Sequence, residues 1–122
     1  MAQHNEIGNW GERVAQEYLI SKGFAIMAQN QRVGHKEIDI IALKDDIVAF
    51  VEVKTRTTDF NDPLDAVDER KIRLLTRAAD RFIQSNDLIQ EPQFDIITII
   101  GTPDNYRLTH YPDAFLPPLS SY

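Results

Sequence analysis

Two strand-like runs separated by three polar residues constrain this chain most: Glu37–Leu43, then Lys44-Asp45-Asp46, then Ile47–Arg56. Each is rich in β-branched and aromatic residues, and so short a polar break makes them a hairpin. With Asp45 and Asp46 as a two-residue loop, Ile41 faces Phe50 and Leu43 faces Val48. On the other face, Ile38 meets Val53 and Ile40 meets Val51. This register keeps apolar partners together on both faces, which is what specifies a register. Asp-Asp is not a favoured loop sequence, so a longer turn with a shifted register stays open.

The same register predicts Asp39 opposite Glu52 and Glu37 opposite Lys54. Facing carboxylates lie roughly 5 Å apart at Cβ, and like charges there are destabilising. Apolar neighbours on both strands worsen the repulsion. A shared proton would relieve it. So would a divalent cation such as Mg²⁺, which takes one or two carboxylates and keeps several waters. Lys54 follows Glu52 by two residues on the same face, about 7 Å along the strand. It reaches a water or phosphate held at the carboxylates. The competing reading is a cross-strand ion-pair cluster of Glu37, Asp39, Glu52 and Lys54.

Residues elsewhere weigh toward chemistry. The stretch Glu6–Gly23 has helical periodicity through Ile7, Trp10, Val14, Tyr18 and Leu19, and Gly23 ends it. Glu12 sits at the rim of that apolar stripe, near Gly8, Ala15 and Leu19. A second helix is predicted from about Leu64 to Gln84, with Val67, Leu74, Leu75, Ala78 and Phe82 on one side. Lys71 falls in the middle of that apolar arc and must snorkel or find an anion. Phe24–Arg32, Gln93–Gly101 and Tyr106–Tyr111 read as further strands. The order α-β-β-β-α-β-β predicts an α/β fold, one central mixed β-sheet flanked by helices.

With 122 residues and 43% hydrophobic content, the chain is expected to form a single domain spanning residues 1–122. It has no cysteine, which excludes disulfides and thiolate metal sites. No apolar run is long enough to span a bilayer and the first ten residues are polar, so a cytoplasmic protein without membrane association is expected. His4, His35 and His110 lack metal-ligand spacing and read as surface or satisfied residues. Neither glycine-rich phosphate-binding signature occurs, and Gly8-x-x-Gly11 is too weak to count. The net charge of −6 argues against coating nucleic acid by bulk attraction. Local recognition is another matter. Arg70, Arg73, Arg77 and Arg81 share one predicted helix face, off the apolar arc, where no acidic residue is expected to interrupt them.

An Asp followed thirteen residues later by Glu-x-Lys, here Asp39, Glu52 and Lys54, resembles the PD-(D/E)XK nuclease superfamily. More closely, the chain resembles the YraN-like family of small bacterial proteins, endonuclease-like and similar to Holliday-junction resolvases. The resemblance rests on "GNWGERVAQEYLISKGF", "NQR", "EIDIIA", "FVEVKTR", "AVDERKIRLL", "FDIITI" and the trio His110, Ala114 and Phe115. It covers nearly the whole chain. It implies a restriction-endonuclease-like fold, with Asp39 and Glu52 as ligands of Mg²⁺ or Mn²⁺ and Lys54 as the catalytic lysine. It also implies Glu12 as an added acid, for a second metal or a water, and Lys71 as a polar residue aimed at the site. The resemblance departs at Lys36, where relatives usually carry Gly, and at Gln93, where Arg is common.

The expected activity is metal-dependent hydrolysis of DNA phosphodiesters, on branched DNA or repair intermediates. Arg56, one strand step beyond Lys54, would grip a phosphate. Arg32, Lys36, Arg70, Arg73 and Arg77 would carry further DNA contacts. The alternative is a non-catalytic nucleic-acid or protein-binding module that keeps the nuclease fold. Oligomeric state stays open, a homodimer included.

Overall fold

The computed structural model describes residues 3–57 and 69–114, with side chains from residue 9 onward. The elements are α1 (Gln3–Ser21), β1 (Ala25–Val33), β2 (Lys36–Lys44), β3 (Ile47–Arg56), α2 (Glu69–Ser85), β4 (Glu91–Thr102) and β5 (Asn105–Tyr111). The strands form one sheet in the order β1-β2-β3-β4-β5. β3 and β4 are parallel and every other neighbouring pair is antiparallel, so α2 lies in the crossover between the parallel strands. This is the mixed α/β sheet expected from the order of elements.

The two helices cover opposite faces. Ala15 and Leu19 of α1 pack on Ile40, Ala42, Ala49, Val51, Ile97 and Ile99. On the other side Leu75, Ala78, Ala79 and Phe82 of α2 pack on Ile41, Val48, Phe50 and Phe94. Phe50 centres that layer, stacked on Phe94 at 5.8 Å and edge-on to Phe82 at 6.2 Å between ring centroids. The arc predicted for α2 needs correction. Leu74 is 40% exposed. Lys71 is exposed as well, because it lies in the first turn, one turn short of Leu75, the first α2 residue buried against the sheet. Leu64 and Val67 lie outside the described residues.

Local chemistry sets the boundaries. α1 ends in a Schellman motif: Phe24 N–H donates to Leu19 O and Gly23 N–H to Ile20 O, each at 3.0 Å. Gly23 takes φ 97°, where a glycine costs least. Phe24 and Leu19 meet in the α1-side core, the apolar contact that accompanies this cap. The β2–β3 register runs as predicted from Lys44↔Ile47 to Ile40↔Val51, with Asp45 at φ 54° in the loop. A second tight hairpin joins β1 to β2, where Val33↔Lys36 brackets Gly34 and His35.

At Ile40↔Val51 the β2–β3 ladder stops. Beyond it Lys36, Glu37 and Ile38 stay paired with β1, and Glu52–Arg56 stays paired with β4. The two strands open into a fork. The expected facing pairs Asp39–Glu52 and Glu37–Lys54 are therefore not ladder pairs. The cause is a break in alternation. Ile38 packs with Ile41 and Phe50 toward α2, whereas Ile40 packs with Ala42 and Val51 toward α1. Residues two apart on a regular strand share a face. The backbone is therefore turned at Asp39. Asn30, between the β1 partners of Ile38 and Ile40, has φ 49°, a left-handed conformation that Asn tolerates.

Candidate functional site

Asp39 turns into the mouth of the fork. Its Oδ2 accepts the Val53 backbone N–H at 2.8 Å, so a side chain satisfies a strand donor that a continued ladder would have used. Burial raises the Asp39 carboxyl from the ordinary range to about 7. The Val53 N–H and Lys36 pull it down, while the Glu52 and Glu12 carboxylates push it further up.

Glu52 lies on β3, three-quarters covered. Lys36 Nζ stands 3.6 Å from its Oε2 and Lys54 Nζ 3.7 Å from its Oε1. Glu12 arrives from α1, partly buried. Its neighbour Gly11 explains how: a Cβ at that position would collide with the Thr55 side chain of β3. The missing side chain lets α1 rest on the far half of β3, and that brings Glu12 within electrostatic reach of Asp39.

The fork thus collects Glu12, Asp39 and Glu52 with Lys36 and Lys54. Carboxylates are hard oxygen donors, suited to Mg²⁺ or Mn²⁺. A carboxyl that desolvation, and to a lesser degree the neighbouring acids, raises to about 7 is a group that such a cation would ionise. Among the described residues no three acids or histidines stand ready as a metal-binding group. Each Glu52 oxygen already faces a lysine.

The sequence profile described as "Uncharacterised protein family UPF0102" matches residues 11–99. A UPF0102 protein of Bacteroides thetaiotaomicron is 46% identical over 120 residues, covering 98% of this chain and 99% of that protein. One from Flavobacterium psychrophilum is 43% identical over 116 residues, covering 94% and 98%. The chain belongs to the UPF0102 family. The UPF0102 match opens at Gly11, the residue that seats α1 on β3, and takes in Glu12, Asp39, Glu52, Lys54 and the arginines of α2.

Other residues singled out in this UPF0102 chain lie apart from the fork or are differently engaged. Glu37 is exposed and pairs across the β1–β2 ladder with Arg32, also exposed. Arg56 is exposed and donates from Nη1 to Thr55 O at 3.0 Å. The α2 arginine face is not free of acids as expected: Arg73 Nη1 holds Glu69 Oε1 at 3.0 Å, one helical turn away. Arg70, Arg77 and Arg81 are exposed.

His110 is a satisfied histidine, as expected. Its Nε2 lies 2.8 Å from Asp95 Oδ2 and its Nδ1 3.0 Å from Tyr18 OH. Asp95, 1% exposed, also accepts from Gln93 Nε2 and the Asp113 backbone N–H, both at 3.0 Å. Gln93, where Arg is common in the resemblance, thus works inside this network. His35 is exposed in the β1–β2 turn. The His4 side chain and Phe115 lie outside the described residues.

Proposed function

We propose that this UPF0102 protein is a metal-dependent phosphodiester hydrolase acting on DNA in the cytoplasm, with its active site in the β2–β3 fork. The carrying observation is Asp39: a partly buried carboxyl raised to about 7 beside Glu52 and Glu12, with Lys36 acting on it and Lys54 beside Glu52. Perturbed groups of this kind concentrate at functional sites. The order Asp39, Glu52, Lys54, like that of PD-(D/E)XK nucleases, supports the same reading.

Asp39 and Glu52, with Glu12, would hold Mg²⁺ or Mn²⁺. When bound, the cation supplies polarisation of the scissile phosphate and a more acidic water. Lys54 places an ammonium beside the phosphate, where charge grows in the transition state, and stabilises it. Glu12, free of ion pairs among the described residues, orients water or holds a proton at its carboxylate. Arg56 grips a neighbouring phosphate. Arg70 and Arg77, exposed on α2, draw the DNA backbone locally against a net charge of −6. Lys71 and Arg32 are more distant contacts.

The test is a cleavage screen of linear, nicked, flap and four-way DNA with Mg²⁺ and with Mn²⁺. Cleavage of at least one form, lost in Asp39→Asn, is the expected result. One observation favours a second reading, a binding module without catalysis: Glu52 already has two lysine partners. DNA binding without cleavage of any form in either metal would select that reading.

A further inference from the structure

Beside the fork, on the α2 side of the sheet, a cavity of about 350 Å³ opens between the β1–β2 turn and α2. Its charged walls are Lys36, Arg77 and Arg81, and its apolar floor is Val33, Leu74 and Ala78. Gly34 closes one end, and a Cβ there would stand 3.0 Å from Arg81 Nη1. The glycine, at φ 64°, gives that guanidinium its place. Among the described residues no carboxylate pairs with Arg77 or Arg81, unlike Arg73 on the same helix. Lys36, which lines the cavity, also reaches Glu52, so one side chain links the cavity to the fork.

Like charges gathered around an open cavity repel, and a bound anion relieves them. A bare anion would leave the floor wet, however, and Leu74 there is an apolar side chain 40% exposed. Duplex DNA offers phosphates but keeps its bases stacked inside, and also leaves the floor uncovered. The volume lies at the small end of ligand pockets, about 300–1,000 Å³. An unpaired nucleotide matches both walls and floor: its phosphate takes charge-assisted bonds from arginine while its sugar and base cover apolar surface.

We propose that this groove binds one unpaired nucleotide of single-stranded or branched DNA, with the phosphate on Arg77 and Arg81 and the sugar and base over Val33, Leu74 and Ala78. The proposal rests on the reading of the fork as a DNA site and narrows its substrate to strands with unpaired nucleotides next to the cut.

The experiment is fluorescence anisotropy of the full chain with a labelled oligothymidylate and with a duplex of equal length, in EDTA so that no cleavage intervenes. Arg77→Gln with Arg81→Gln should weaken single-strand binding by about tenfold or more and flatten the salt dependence by about 0.7 per lost contact. Leu74→Gln should weaken single-strand binding, leave duplex binding unchanged and leave the salt slope unaltered. Arg73→Gln, whose arginine is held by Glu69, should change neither. Thymidine monophosphate should displace the oligonucleotide better than inorganic phosphate at equal ionic strength. An Arg73→Gln loss as large as the Arg77/Arg81 loss, or equal competition by phosphate, would overturn the proposal. These effects with no cleavage in any metal remove the hydrolase reading and leave the groove. Cleavage with binding indifferent to the groove variants does the reverse.

Discussion

An aspartate whose folded-state carboxyl sits at about 7, as Asp39's does, makes stability depend on pH in a definite direction. In the unfolded chain it titrates near 3.9, so between about pH 4 and 7 the folded state binds the extra proton. The stability contributed by this group is fully present below about pH 4 and is lost as pH rises through 7. Asp39→Asn cannot ionise and keeps an acceptor for the Val53 N–H. Melting of the wild type should therefore fall more steeply between pH 5 and pH 8 than melting of the variant. Parallel curves would mean that Asp39 is not protonated in the folded protein. Lys54 is expected to act on the reaction instead. Lys54→Met should reduce cleavage by about a hundredfold or more while DNA affinity changes little, because its charge serves the transition state. An equal loss of binding and cleavage would make it a binding residue.

At the level of elements, the close seating of α1 on β3 depends on Gly11. Gly11→Ala improves helix propensity by about 1 kcal/mol but drives a methyl into Thr55, and overpacking costs about 1–3 kcal/mol. Urea denaturation should show a net loss, largely recovered when Thr55→Ala is added, since the two changes share one contact. Independent, additive effects would separate the two residues. The hairpin register was legible because apolar partners on both faces leave one satisfactory pairing. The fork was not, because it arises from a twist at Asp39 against Asn30, and strand alternation assumes a regular backbone. Glu69 to Arg73 is a four-residue helical spacing that pairs opposite charges, so that bridge was readable in the sequence. The Gly34-His35 turn carried a hairpin signal too, and with it the closure of the α2 groove. Lys71 misled because periodicity says which side a residue takes but not whether the sheet extends beneath it.

For the whole molecule, a net charge of −6 means that the proposed DNA binding would have to rest on local arginines against a repelling background. Replacing Arg70 and Arg77 with Gln should weaken duplex binding across all sequences and make the log–log salt slope shallower by roughly 0.9 per lost contact. An unchanged slope would make this face of α2 a solvated surface. The fold supplies the rest of the site: α1 contributes Glu12, the opening of β2 from β3 leaves Asp39 to bond the Val53 N–H, and β4 stays paired with β3 through Glu52 and Lys54. The proposed hydrolysis requires that fork to take a divalent cation. Calorimetric titration of Mn²⁺ into the full chain, at pH 8 and pH 6, tests it most directly. Binding to the wild type should be tighter at pH 8, because Asp39 must give up its proton to become a ligand, and Asp39→Asn should abolish it. Equal binding by wild type and Asp39→Asn at both pH values would contradict a metal site in the fork and place any bound cation elsewhere.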